Sequence, residues 1–276
     1  MLEAVFTYKF LQNAIVASIL ASVVCGMIGV IIVQKKLVMM SGGIAHTAYG
    51  GVGLGYLLGF EPMLGAVLFS VAAAFGIGFV KRKGGAKSDV VIALFWSLGM
   101  ALGIAFVAMM PGYPPDMNSY LFGNILSVTS GNIKIMFVIT IAVAFLILMF
   151  YNDWKVYLFD EEFSKVVGIK TTFLEYLLLV MVALTVVVLI RVAGIILVIA
   201  LLTAPAAIAE IFSNNIKNRM LISIGLGIIF CFSGIYFSYT FDLPSGAMII
   251  IVSVASYAAA QTIQYFRLKF QSPIQN

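Results

Sequence analysis

The stretch that decides the fold is residues 172–212, which read TFLEYLLLVMVALTVVVLIRVAGIILVIALLTAPAAIAEIF. A helix that crosses a membrane needs about 20 mainly apolar residues, so this stretch is long enough to cross a bilayer twice. Only Arg191 and Gly194 separate its two apolar runs. We predict two spans joined at 191–194, because a single interrupted helix would move all later loops to the opposite side of the membrane.

The composition of the whole chain requires a membrane interpretation as well. Hydrophobic residues make up 63% of the 276 residues and charged residues only 10%, and the mean hydropathy is +1.13. An ordinary soluble domain is roughly half apolar and a quarter charged. A helix satisfies its own backbone polar groups in lipid, so we predict an all-α polytopic membrane protein with nine spans, or eight if residues 172–212 cross only once. The predicted spans are 10–33, 39–59, 62–80, 90–110, 132–151, 172–191, 194–212, 220–239 and 245–266.

The basic residues predict the orientation of these spans. Nine spans place the termini on opposite faces, and thirteen of the sixteen Lys and Arg residues then share one face. Short loops rich in Lys and Arg stay in the cytoplasm, so the N-terminus is predicted outside and the C-terminus inside. The net charge of +5 therefore reflects topology and contact with membrane lipid, and nothing indicates binding to nucleic acid. The basic residues on the predicted cytoplasmic face are Lys35, Lys36, Lys81, Arg82, Lys83, Lys87, Lys155, Lys165, Lys170, Lys217, Arg219, Arg267 and Lys269.

Enzymatic activity is not expected from the chain itself. The sequence Gly-Gly-Ala-Lys-Ser at 84–88 lacks the glycine before lysine that a phosphate-binding loop requires. Ionisable residues within the predicted spans are few, and they are costly there, which argues against an intramembrane active site. If ATP drives transport, another subunit has to bind it.

The single histidine, His46, lies in the second predicted span. On a helix, Gly42, Tyr49, Gly50 and Gly53 share its face, which predicts unusual room beside the imidazole. One interpretation is a hydrogen bond to a neighbouring helix. The other is a metal ligand, which needs further ligands because one imidazole is a poor site; a two-fold dimer would supply a second His46.

Small residues and a proline indicate how the spans pack. Gly51, Gly55 and Gly59 recur at every fourth position, a pattern that lets membrane helices approach closely. Pro205 lies in the seventh predicted span, where it removes a backbone donor and is expected to kink the helix. Such a kink either opens a transport pathway or is merely tolerated in the packing.

Residues 152–171 form the longest segment on the predicted cytoplasmic face. Asp160 can cap a short helix whose first turn contains Glu161 and Glu162, and Gly168 can end that helix. Such a helix suits docking into a groove on a partner or resting on lipid headgroups. The apolar side chains that it would present are Phe163, Val166 and Val167.

Four stretches resemble, in order, segments of the permease subunits of bacterial ABC importers for zinc, manganese and iron, the ZnuB-like family. Together they extend over most of the chain. They are 41–59 with His46, the Tyr-Leu-Phe-Gly segment at 120–129, Gly194 through Pro205-Ala-Ala, and the Asp-Leu-Pro-Ser-Gly loop at 242–246.

The resemblance implies one permease domain over residues 1–276 in the bacterial inner membrane. It implies a homodimer, two cytoplasmic ATP-binding subunits and an extracytoplasmic metal-binding protein. It also implies that Asp160–Gly168 is the coupling helix on the ATPase and that the second span lines the pathway. Many members place an Asp-x3-His pair there, whereas this chain has Gly42 and His46. Imidazoles without carboxylates suit Zn²⁺ better than Mn²⁺, a weak preference for zinc.

The leading hypothesis is therefore the permease of an ATP-driven importer for a divalent transition metal, Zn²⁺, Mn²⁺ or Fe²⁺, with no stably bound cofactor. The alternatives are an ABC permease for a chelated or organic nutrient and a secondary transporter that needs no ATPase.

Overall fold

The computed structural model describes residues 8–83, 88–113, 117–123, 125 and 128–271. Within these ranges the regular structure is entirely helical, as predicted. The incomplete phosphate-loop sequence lies mostly outside them. The helices are α1 (Lys9–Gln34), α2 (Val38–Leu58), α3 (Pro62–Lys83), α4 (Ser88–Ala108), α5 (Asn118–Phe122), α6 (Ser130–Met149), α7 (Tyr151–Phe159), α8 (Glu161–Val166), α9 (Thr171–Phe212), α10 (Ile216–Phe241) and α11 (Ser245–Gln271).

Eight helical segments in the described part of the chain are long and apolar enough to cross a membrane. Two of them, Thr171–Ile190 and Val192–Phe212, are the halves of α9. The remaining predicted span, α2, has 21 residues, but its glycines and polar side chains lower its hydropathy. Most of α2 is buried, so it does not depend on its own hydrophobicity to stay in the membrane.

Helix α9 turns back on itself at Gly194, as the prediction of two spans requires. Gly194 has φ 77° and ψ 157°, a conformation that is open essentially only to glycine. Both ends of α9 lie beside the C-terminal ends of α1 and α3. Near its start, Glu175 pairs with Lys81; just after its end, Arg219 donates to Gln34. A helix that starts and finishes at the same face crosses the membrane twice.

Gly194 lies at the opposite end of the bundle, where three of the quoted sequence segments meet. A Cβ on Gly123 would overlap the backbone of Ala193 and Gly194, and one on Gly246 would overlap the Phe122 carbonyl. We call Gly123, Gly194 and Gly246 the glycine junction. Since any side chain there would separate the backbones, glycine is required for α5, the α9 turn and the start of α11 to meet.

Glycines also let α2 pack closely between α3 and α4. Gly51 faces the backbone of Gly65 in α3, and a Cβ on Gly50 would lie 2.8 Å from the Gly99 carbonyl oxygen in α4. Because α2 contacts both neighbours backbone to backbone, these three helices form one tightly packed unit. We refer to α2, α3 and α4 together as the three-helix unit.

The packing prediction holds for Gly55 but not for Gly59. A Cβ on Gly55 would lie 2.6 Å from the Pro62 Cα. Gly59 instead ends α2 with φ 72°, and no described atom lies within 4 Å of the position that its Cβ would take. Its role is therefore to terminate the helix in the left-handed conformation.

Pro205 does not produce the bend in its part of the chain. It is buried in the second half of α9, and the residue with non-helical dihedral angles within α9 is Gly194. The helix continues through Pro205, so the proline does not end it, and the expected kink and its contribution to a pathway stay predictions.

Candidate functional site

His46 lies in α2 on the face that packs against α4. Its ring stacks on Trp96, with ring centroids 4.0 Å apart and an interplanar angle of 15°. Its Nδ1 atom lies 3.4 Å from the Sδ atom of Met100. Trp96 and Met100 are i and i+4 neighbours on one helix face. That face covers the imidazole and leaves His46 only 8% exposed.

The room predicted beside His46 is filled by α4. A Cβ on Gly42 would lie 2.9 Å from Cζ3 of Trp96, so the absence of a side chain at Gly42 lets the indole ring reach the imidazole. Gly50 likewise admits the α4 backbone at Gly99. The expectation of open space beside His46 is therefore wrong, because a helix face without side chains allows the neighbouring helix to pack closely against it.

Sequence reasoning missed Trp96 and Met100. Both lie in an apolar span, and a span does not show which of its faces meets another helix. Their i, i+4 spacing was the only available signal, and it becomes informative only when the partner helix is known.

The donor atoms at this site are a nitrogen and a sulfur. Among the described residues, no group of three or more His, Cys, Asp or Glu side chains could hold a metal ion. Imidazole and thioether are borderline to soft ligands, whereas carboxylates suit hard ions. In the described part of the chain, this site thus offers one imidazole nitrogen and one thioether sulfur, fewer than the three or four ligands that most metal sites need.

A second polar contact links α2 to α5 near the glycine junction. The hydroxyls of Tyr56 and Tyr120 are 3.0 Å apart, and their rings meet edge to face with centroids 6.3 Å apart. This pair fixes the C-terminal end of α2 to α5, the short helix that packs on the α9 turn.

The segment 152–171 folds at its centre as the sequence predicts. The Asp160 carboxylate accepts hydrogen bonds from the backbone N–H groups of Glu162 at 2.8 Å and Phe163 at 3.0 Å. Glu161 and Glu162 occupy the first turn of α8, and Gly168 follows the helix with φ 88°. The additional helix α7, which was not predicted, precedes α8.

Apolar side chains project from this segment into the surroundings. Phe163 is 54%, Val166 85% and Val167 57% exposed. Phe159, at the end of α7, is 89% exposed and was missed because it precedes the capped helix. Exposed apolar patches mark contacts with another protein or with a membrane, the two alternatives that the sequence left open for this helix. We call Phe159, Phe163, Val166 and Val167 the apolar patch.

Lys35 joins the segment to the end of α1. Its Nζ atom lies 3.1 Å from Oε2 of Glu161. Partial burial alone would raise the pKa of Glu161, but the hydrogen bonds and charges of Lys35 and Lys165 lower that pKa below its usual value. Burial, followed by the carboxylates of Glu175 and Glu161, raises the pKa of the Tyr157 phenol. At neutral pH, Glu161 is therefore ionised and Tyr157 is neutral.

Residues 7–264 match the model of the ABC 3 transport family. The chain belongs to this family. The manganese transport system membrane protein MntC of Listeria monocytogenes is 34% identical over 259 residues, which are 94% of this chain and 92% of that protein. The manganese import system permease protein ScaB of Streptococcus gordonii is 30% identical over 272 residues, covering 97% and 98%.

A solved structure is similar as well. PsaBC from Streptococcus pneumoniae in complex with Fab matches with a TM-score of 0.84 and 30% sequence identity, covering 94% of this chain and 93% of that chain. The resemblance drawn from the four sequence segments is thus confirmed.

Family membership establishes the class of protein. The chain is the multi-pass permease component of a metal-type ABC transporter of the bacterial inner membrane. It is not an enzyme, since ATP hydrolysis belongs to a partner subunit of such transporters. An ATP-independent secondary transporter, one of the alternatives left open by the sequence, is therefore excluded.

Proposed function

We propose that this permease imports a divalent transition metal ion, with manganese as the favoured substrate. The observation that carries the proposal is His46, the single imidazole, held at the α2–α4 interface of a metal-type permease fold. The relatives MntC and ScaB, both named for manganese, support the choice of ion. The weak preference for zinc drawn from the sequence gains no support from them.

In the proposed cycle, an extracytoplasmic binding protein delivers the ion at the end of the bundle that carries the glycine junction. Two protomers of a homodimer form the pathway, and His46 of each contacts the ion transiently, with Met100 beside it. A sparse ligand set suits transport, because a site that binds weakly also releases. Cytoplasmic ATP-binding subunits supply the energy for unidirectional uptake.

Replacing His46 by Ala is expected to impair uptake at limiting metal. Loss of outer-shell partners of metal ligands already costs about 10–100-fold, so loss of the ligand itself should cost about tenfold or more. The measurement is uptake of manganese, zinc and iron by metal-starved cells that carry the permease, its ATPase subunits and its binding protein.

The control for His46→Ala is Ser233→Ala in α10, which removes a partly exposed hydroxyl that donates to the Ile229 carbonyl of its own helix. It should leave uptake unchanged. Normal uptake by His46→Ala at limiting metal would show that His46 is not part of the pathway. If the wild-type chain changed the uptake of none of manganese, zinc and iron, a chelated or organic substrate would be favoured.

We also propose that the apolar patch seats the permease on its ATPase subunit. This assigns the coupling role to Asp160, Glu161, Glu162, Phe163, Val166, Val167 and Gly168, the residues that the sequence resemblance indicated. The capped helix holds the patch in place, and Gly168 redirects the chain into α9.

Val166→Asp is expected to detach the ATPase. A carboxylate buried without a partner costs several kcal/mol, so co-purification of the ATPase subunit should fall about tenfold or more. Leu243→Asp introduces the same charge at a residue that is 48% exposed at the other end of the bundle, and it should retain the ATPase. Equal retention by both variants would contradict the docking role.

A further inference from the structure

We propose that Lys35 is a positioning residue that transmits movement of residues 157–161, where α7 leads into the coupling helix α8, to α2 and so to His46. The proposal rests on the proposed function, because it assumes that the segment is moved by an ATPase subunit. Its basis is a set of contacts that connect the segment to α2 through one short turn.

The side chains of Gln34 and Lys35 hold the segment at three points. The Lys35 ammonium lies 3.1 Å from Oε2 of Glu161 and donates to the Tyr157 carbonyl oxygen at 3.3 Å. It also lies 3.6 Å from the centroid of the Tyr157 ring, a cation–π distance. The Gln34 amide donates to the Leu158 carbonyl oxygen at 3.4 Å. The Lys35 side chain is only 14% exposed, so water competes little for these contacts.

The turn from Lys35 to α2 is short and hydrogen-bonded at both ends. The N–H of Leu37 donates to the Ile32 carbonyl of α1 at 2.9 Å, and the Leu37 carbonyl accepts from the N–H of Ser41 in α2 at 3.1 Å. Leu37 is buried. Because only Lys36 and Leu37 separate Lys35 from the first residue of α2, a displacement at Lys35 passes directly into that helix.

Helix α2 carries the displacement to His46. His46 lies eight positions after Val38, the start of α2, which is about 12 Å along a helix at about 1.5 Å per residue. Since backbone contacts tie α2 to its neighbours, the three-helix unit should move as one body. His46, Trp96 and Met100 all lie within that unit. The distances among the three side chains can therefore stay the same while the unit moves and exposes His46 to the other side of the membrane.

The first turns of α9, which follow α8 along the chain, are attached to the same unit. Glu175, which follows α8 and is 6% exposed at its side chain, lies 2.5 Å from Lys81 and 3.4 Å from Arg82 at the end of α3. A cavity of about 220 Å³, lined by Lys81, Arg82, Glu161, Lys165 and Glu175, separates the two ion pairs. Helix α8 thus lies between two attachments to the three-helix unit. Lys35, in the turn that leads into α2, holds Glu161 at the start of α8, and Lys81 and Arg82 of α3 hold Glu175, which follows α8.

The test uses the complete transporter, with ATPase subunits and binding protein, in lipid vesicles. Lys35→Met removes the charge and keeps an apolar stem of similar length. We expect the ATPase to remain bound, while metal uptake per ATP hydrolysed falls about fivefold or more, the lower range of coupling between sites. Lys35→Arg keeps the cation and should restore the ratio to near the wild-type value.

Lys36→Met is the matched control, since Lys36 lies in the same turn but is exposed; its ratio should equal that of the wild type. An unchanged ratio in Lys35→Met would overturn the proposal, and so would loss of the ATPase or of thermal stability, because either would make Lys35 merely structural. Wild-type vesicles that take up no manganese, zinc or iron would instead count against the proposed function.

Discussion

Gly194→Ala is expected to abolish the folded permease. Gly194 has φ 77° and ψ 157°, and an alanine there would be strained by about 1–3 kcal/mol. Its Cβ would also overlap the backbone of Gly123 and Phe122, and overpacking typically adds about 1–3 kcal/mol. Backbone atoms cannot rotate away as a side chain can. The sum is a large part of a total stability of about 5–15 kcal/mol.

The measurement is the yield of monodisperse protein in detergent and its Tm. Gly225→Ala in α10 is the matched control, because no described atom lies within 4 Å of the position of its Cβ. Alanine is also favoured over glycine in a helix by about 1 kcal/mol, so this variant should match or slightly exceed the wild type. Equal yields and Tm values for the two variants would show that the α9 turn does not depend on glycine.

The course of the chain through the membrane could be predicted because the bilayer restricts it. The length of apolar runs reflects the cost of placing unpaired backbone groups in lipid, and the segregation of Lys and Arg reflects the retention of basic loops on the cytoplasmic side. The turn at Gly194 followed from the same reasoning, since residues 172–212 are too long for one crossing. The side of the membrane on which each terminus lies stays a prediction from these charges.

The candidate site could be predicted only in part. His46 is conspicuous because it is the single histidine, but its neighbours Trp96 and Met100 are ordinary residues of a membrane span. Lipid-facing and protein-facing positions are both apolar in a membrane, so composition does not reveal which face of α4 meets α2. The glycines of α2 predicted a close neighbour without identifying it.

The role inferred for Lys35 was equally hidden in the sequence. On its own, Lys35 is one of the thirteen basic residues on the predicted cytoplasmic face. Its partner Glu161 lies 126 positions away along the chain, and only the fold brings the two side chains together. A long-range ion pair between loops leaves no local pattern.

Gly42→Asp combined with Trp96→Leu is expected to shift the metal preference of the permease toward manganese. The i, i+4 spacing of Gly42 and His46 places the new carboxylate beside the imidazole, and oxygen donors favour Mn²⁺ over softer ions. Trp96 has to be reduced in size, because a Cβ on Gly42 would lie 2.9 Å from its Cζ3 atom. Gly42→Asp alone should therefore lower the uptake of every ion.

The measurement is uptake from an equimolar mixture of manganese and zinc by metal-starved cells. We expect the manganese-to-zinc ratio of the double variant to rise about tenfold over the wild type, equivalent to about 1.4 kcal/mol. Gly42→Ala with Trp96→Leu makes the same space without the carboxylate and should leave the ratio near the wild-type value. If both double variants shifted the ratio equally, the size of the cavity rather than the donor atoms would decide which ion passes, and His46 would select no metal by its ligand chemistry.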